Sequence, residues 1–253
     1  MAVITGATGS VTSWTGTANG LLIGTNSQPS TFTLNYNADE LDTTGFDATN
    51  SMEAIAGLKS WAGTISTRYD AAQIGSAGSV TYGSGYVLHT NSWQLNLASA
   101  AKDVTAFGTS VKSFIPSLIG WGGQYDGFVD DTSPLSGLGV DPPASATFAM
   151  DATRSIEGDI TVTGQSVSSA PSEPNTVTQT FRGSGAITAA GASGLFSVGE
   201  IVIPATGTLT LTASTGRTYA GSAFWTSLSI SCPAAGLVVM DIAFQGTGAL
   251  SIG

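Results

Sequence analysis

An all-β protein is predicted, built as two β-sandwich or barrel-like units that each carry a short helix on the flank. Three observations carry this. The composition favours turns and short strands over helices, since the 253 residues include 33 glycines and only 9% are charged. Several segments alternate apolar and polar residues, the period of a strand with one buried face. The chain also repeats itself in two different stretches, and repeats constrain architecture strongly.

The strands can be taken in chain order. Thr31-Phe32-Thr33-Leu34-Asn35-Tyr36 alternates, as do Ile160 and Val162 with Thr161 and Thr163. Leu209 and Leu211 alternate with Thr208, Thr210 and Thr212. Leu237 to Phe244 is a near-continuous apolar run, a pattern that suits a strand buried on both sides. Gly and Pro clusters such as Gly139 to Pro143 and Pro171 to Pro174 separate the runs. Asp47 to Leu58 holds Met52, Ile55 and Leu58 at helical spacing, with Asn50 or Ser51 as caps, which predicts a short helix. Its counterpart spans Thr109 to Leu118, limited by Pro116.

The first repeat places residues 32–46 on 93–107 without gaps, pairing Phe32 with Trp93, Leu34 with Leu95, Asp42 with Asp103 and Phe46 with Phe107. After one dropped residue, 53–65 lies over 113–125 and pairs Ile55 with Ile115, Leu58 with Leu118 and Trp61 with Trp121. Gly-Ser-Val-Thr occurs at both 9–12 and 78–81. The second repeat starts at Arg154 and again at Arg217, and it ends on TFRGSGAIT (180–188, with Phe181) and AFQGTGALS (243–251, with Phe244). The order is therefore A (9–75), A′ (78–140), B (146–188), B′ (206–252). An A′–B unit nested inside an A–B′ unit explains it, and so does a different interleaving. The Gly pairs of the two endings predict a bulge or a close strand approach.

Charge and chemistry exclude several function classes. Net charge is −10, without the basic patches that grip nucleic acid. Cys232 is the single cysteine and His89 the single histidine, so no intrachain disulfide forms and no metal or cofactor site is expected. Val3 to Gly9 superficially matches a nucleotide-binding glycine loop, but Thr12 stands where the third glycine belongs. Asp130 and Asp131 point to opposite faces if extended, which is poor geometry for acid–base catalysis. No apolar run reaches the roughly 20 residues needed to cross a bilayer. The opening residues lack the pattern of a secretory signal, so synthesis in a cytoplasm is expected. A non-enzymatic, structural role fits these exclusions.

Asp103-Val104-Thr105-Ala106-Phe107, then Phe114-Ile115-Pro116-Ser117-Leu118, then Trp121, resembles the tail tube proteins of long-tailed bacteriophages. The ending from Gly221 through Ser227-Leu228-Ser229-Ile230 to Leu250 looks like that family's C-terminal strands. With the repeated copies, the resemblance covers most of residues 30–252. It departs at Ala56, where the family often has Pro, and at Leu41-Asp42-Thr43-Thr44, which replaces the usual Asp-Val-Thr. The resemblance implies a virion protein, the major tail tube subunit. Its rings stack into a hollow conduit through which genomic DNA passes without specific binding.

A usual member carries one unit and forms hexameric rings, so two units imply a homotrimer with pseudo-sixfold symmetry. Sheets of neighbouring units are then expected to join into a closed inner barrel. Tape measure, tail terminator and tip proteins are the implied partners, and no membrane is involved. Small or acidic residues are expected to line the bore, with Asp39, Glu40, Asp126, Asp130, Asp131 and Asp241 as candidates. Trp61 and Trp121 are expected to fill cores, with a place at subunit boundaries as the sharper expectation. Another virion β protein, a capsid decoration or fibre module, is the alternative, followed by a carbohydrate-binding or carbohydrate-cleaving β-sandwich.

Overall fold

The computed structural model describes residues 10–15, 27–43, 54–69, 79–82, 86–128, 143–150, 154–190, 199–201, 204, 206–214, 217–233 and 237–253. Its strands are β1 (Ser10–Thr15), β2 (Ser27–Asp42), β3 (Ala54–Tyr69), β4 (Ser79–Tyr82), β5 (Tyr86–Asp103), β6 (Phe114–Phe128) and β7 (Ala144–Ala149). They continue with β8 (Ser155–Ser168), β9 (Thr176–Ala190), β10 (Gly199–Glu200), β11 (Gly207–Ser214), β12 (Arg217–Pro233) and β13 (Val239–Ile252). All thirteen belong to one antiparallel sheet, and the described residues contain no helix.

The two predicted flank helices are therefore corrected. Residues 54–58 open β3, and residues 47–53 lie outside the described residues. The stretch from Thr109 is irregular and then becomes β6 at Phe114. Both predicted helices were too short to offset the cost of a helical nucleus. Hairpin pairing offers these backbones a partner at once: Ala54, Ile55 and Ala56 sit opposite Asp42, Leu41 and Glu40. Pro116 sits in β6 opposite Ala101, beside a bulge, where β6 has not yet met β9.

Another correction concerns Leu237–Phe244. Val238, Met240, Ile242 and Phe244 are buried, while Asp241 is exposed and Val239 and Ala243 are only half-buried. β13 has one buried face, so its extra apolar residues reflect strand propensity rather than a second core. The alternation expected for 160–163 and 208–212 is present, with Ile160, Val162, Leu209 and Leu211 buried, whereas in 31–36 Phe32 and Leu34 are only half-buried and Tyr36 is exposed.

The pairings sort the strands into two groups. β4, β5, β6, β7, β8 and β9 pair among themselves, and β10 adds to β9. β1, β2, β3, β11, β12 and β13 form the other path. The first group thus lies in sequence inside the second. Registers in the two groups follow the sequence repeats. Leu95 opposite Gly123 in β5–β6 answers to Leu34 opposite Gly63 in β2–β3. Gly123 opposite Phe181 answers to Gly63 opposite Phe244. Even the bulges coincide, at Ser99/Ala101 and Ala38/Glu40, and at Val162/Gly164 and Trp225/Ser227.

Each group buries one sheet face under its own aromatic cluster. In the inner group, Phe148 of β7 folds across the sheet to meet Trp93 at 5.8 Å and stacks on Phe181 at 5.0 Å. Trp121 and Tyr125 complete it, with ring centroids 6.3 and 6.0 Å from Phe181. In the outer group, Trp61 and Trp14 each present an edge to Phe244, at 6.0 and 6.1 Å. Such edge and offset contacts suit the ring quadrupole and add to the burial of large apolar area.

Candidate functional site

The two groups meet along β5 and β12, where seven consecutive pairs run from Ala98 opposite Ser227 to Ser92 opposite Pro233. Leu95, Leu97, Leu228 and Ile230 are buried beneath this seam. Gln94 Nε2 crosses it on the other face to donate to Ser229 Oγ at 3.0 Å. The seam makes one uninterrupted run of eight strands, β8-β9-β6-β5-β12-β13-β3-β2, four from each group.

One face of this run is core and the other is polar. Asn96, Ser229, Asp241, Ser66 and Thr31 stand opposite one another on successive strands. Thr180, Gln124, Gln94 and Ser231 form the next such row. Hydroxyls and amides dominate because every second residue on these strands must face water while keeping strand propensity. Arg68 and Arg182 share this face with Asp126 and Asp241. The described part of the face is thus small and neutral-polar, with charges of both signs.

The acids named from the sequence are placed differently from one another. Asp241 is exposed on this face. Asp126 is half-buried there, with Ser92 donating to Oδ2 at 2.8 Å and Thr178 to Oδ1 at 2.7 Å. Asp39 pairs with Lys112 at 2.8 Å, and Glu40 is exposed near the end of β2. Asp130 and Asp131 lie outside the described residues, as do Phe46 and the glycine-rich stretch Val3 to Gly9.

The repeat-signature residues also separate. Trp61, Trp121, Phe181 and Phe244 are buried, Leu58 is half-buried, and Leu118 and Phe107 are exposed. Arg217 is exposed where it opens β12, and Arg154 is half-buried just before β8. Asp42 closes β2 and is exposed, and its counterpart Asp103 closes β5. Asp103 Oδ1 accepts from the Thr105 hydroxyl at 2.5 Å and the Thr105 amide at 2.9 Å, an Asx turn. Those bonds, the hydroxyl's first, hold the Asp103 carboxyl below its ordinary value.

Both tryptophans sit in matching glycine cradles. Trp61 Nε1 donates to Gly248 O at 3.1 Å, and Trp121 Nε1 to Gly185 O at 3.1 Å. Gly248 and Gly185 both adopt positive φ, 76° and 71°, which a Cβ would strain. Two residues earlier, a Cβ on Gly246 would overlap the Trp61 ring and one on Gly183 the Trp121 ring. The bulge expected at the Gly pairs is present, since the register shifts between Ser184 and Ile187 and between Thr247 and Ser251, and what lies close against Gly183 and Gly246 is an indole rather than a strand.

A second link ties the groups together at the exposed end of the seam. The loop between β5 and β6 lies against β3 and β13: Lys59 N donates to Ser110 O at 3.2 Å and Lys112 N to Lys59 O at 2.8 Å. Gly248 N donates to Lys112 O at 3.1 Å and Phe114 N to Thr247 Oγ1 at 2.9 Å. Val104 and Phe107 in the loop, and Ile115 and Leu118 near the start of β6, are exposed large apolar side chains. Sequence spacing alone gave no sign of this link, because it joins residues from non-equivalent parts of the repeats.

No protein-family model matches the chain, and no curated protein matches it.

Proposed function

We propose that the chain is a structural self-assembling protein, the major tail tube subunit of a long-tailed phage, stacked as rings around a hollow conduit for DNA. One observation carries the reading most. Two strand groups of matching register lie side by side in a single eight-strand antiparallel run, core on one face and hydroxyl and amide groups on the other. A unit joined edge to edge to its own copy is the arrangement from which rings are built, because the same step can be taken again. Three such chains make a pseudo-sixfold ring whose sheets close, and closure removes the open edges that make sheets aggregate.

In this arrangement the polar face lines the bore. Tight DNA binding depends on several cations neutralising phosphates together. A face of Ser, Thr, Asn and Gln with charges of both signs offers no such cluster, so DNA slides without sticking. Ring stacking uses the exposed apolar side chains Phe107 and Leu118, a contact between different surfaces that propagates as a tube. Tape measure, terminator and tip proteins would then meet the bore and the two ends. Synthesis in the host cytoplasm and residence in the virion tail follow from the same reading.

Electron microscopy of the concentrated pure protein, with light scattering for mass, tests it. Hollow rings or tubes with three chains per layer are expected. A chain that stays monomeric at every concentration refutes it in favour of a carbohydrate-directed β-sandwich, and one that coats empty heads without forming tubes refutes it in favour of a decoration protein.

A further inference from the structure

The internal seam uses one edge of β5 and one edge of β12. The repeats align β5 with β2 and β12 with β8, through Trp93 on Phe32 and Arg217 on Arg154. Among the described residues, the matching edge of β2 carries no strand pairing, and β8 beyond Ile160 pairs only with β9. Each chain therefore holds one used pair of edges and the same pair again, unused, at the two ends of its eight-strand run.

The side chains along the unused edges repeat this asymmetry. Leu97 and Ile230 are 1% and 0% exposed in the seam, whereas their counterparts Tyr36 and Val167 are 48% and 49% exposed. Leu95 and Trp93 are buried, whereas Leu34 and Phe32 are half-buried. An exposed apolar edge strand is a template for another strand, and nothing in β2 from Thr31 to Ala38 or in β8 from Gly164 to Ser168 guards against it: neither stretch carries a charge or a proline.

We infer that β2 of one chain pairs antiparallel with β8 of a second copy, in the register of the β5–β12 seam. Transferred through the repeats, Leu228 opposite Leu97 becomes Gln165 opposite Tyr36, and Ile230 opposite Leu95 becomes Val167 opposite Leu34. Ser229 opposite Asn96 becomes Ser166 opposite Asn35. The Gln94–Ser229 hydrogen bond has no counterpart there, because Thr33 replaces Gln94 and its short hydroxyl is bonded to Thr64 instead. Tyr36 and Val167 leave water at this contact, just as Leu97 and Ile230 do inside the chain. The pairing specifies the ring contact of the tube reading, and it makes every junction around the ring alike in register.

The test is a cysteine cross-link on the full chain, with Cys232 left in place because it is buried. Ser166→Cys with Asn35→Cys sets the two thiols opposite each other on the exposed polar face. Ser166→Cys with Asn37→Cys shifts one by two residues, about 6.6 Å along the strand, beyond the reach of a disulfide. Under mild oxidation the first pair is expected to link chains efficiently, at least about tenfold better than the second. Tubes whose chains link as well or better through the offset pair overturn the inference and leave the tube reading standing. In-register links within open filaments uphold the pairing and refute the tube. Tyr36→Lys with Val167→Lys, both on exposed positions, is expected to leave a folded chain that no longer assembles; tubes from that variant overturn the inference too.

Discussion

Adding a single methyl group at Gly183 tests the logic of the tryptophan cradles. A Cβ there would overlap Trp121 Cδ2 and Cε2 and stand 2.6 Å from Cε3, where ordinary carbon contacts sit at about 3.5–4.0 Å. A Cβ on Gly158 would also stand 2.7 Å from Trp121 Cζ2, so the indole rests on bare backbone along its length. Overpacking of this kind costs about 1–3 kcal/mol. Tilting the ring also stretches the 3.1 Å bond from Nε1 to Gly185 O, which adds about 1 kcal/mol. At about 2–4 °C per kcal/mol for a chain of this size, Gly183→Ala should lower the melting temperature by roughly 5–15 °C. Scanning calorimetry measures it, with Gly120→Ala as the control because a Cβ at Gly120 meets nothing within 4 Å. Equal melting of Gly183→Ala and the parent, or an equal loss in the control, refutes the cradle argument.

Three further outcomes are expected. Burial first, and the neighbouring Tyr82 second, raise the Tyr125 phenol above its ordinary value of 10.0. A raised acid contributes stability in full below the unfolded value and loses it as pH rises past that value, so Tyr125→Phe should flatten the fall in urea stability above about pH 10. Because the Thr105 hydroxyl holds the Asp103 carboxyl below 3.8, Thr105→Val should move its NMR titration midpoint back upward. Phe107→Ser removes the most exposed large apolar side chain at the stacking end, so rings should persist in micrographs while long tubes become scarce.

What could be read from sequence divides along a physical line. Residues that repeat in order, such as Trp61 with Trp121 and Phe181 with Phe244, revealed two copies, and the structure gives those copies the same registers and bulges. The Gly pairs at 183–185 and 246–248 pointed to a bulge or a close strand approach; the bulges are there, while the group held close is an indole from a distant strand. The helices failed because Met52, Ile55 and Leu58 show helical spacing over too few residues to outweigh a waiting hairpin partner. Asp126 was named only as a bore candidate, and its partners Ser92 and Thr178 could not be read because they are distant in sequence. The open edges of β2 and β8 were invisible for a related reason. Equivalent residues in a repeat look alike in text, and only the folded pairing tells which copy has found a neighbour.

The way the chain doubles back imposes an order of events at the ribosome. Trp61 is anchored by Gly248, 187 residues further on, while the strands between them complete their own sheet first. At about 5–20 residues per second, β2 and β3 wait on the order of ten to forty seconds for β13 to emerge. During that interval their hairpin is bare, and the finished inner strands are the surface nearest at hand to shelter it. Early synthesis thus resembles a clasp left open until β13 arrives, and a chain cut short before β13 would remain unfastened.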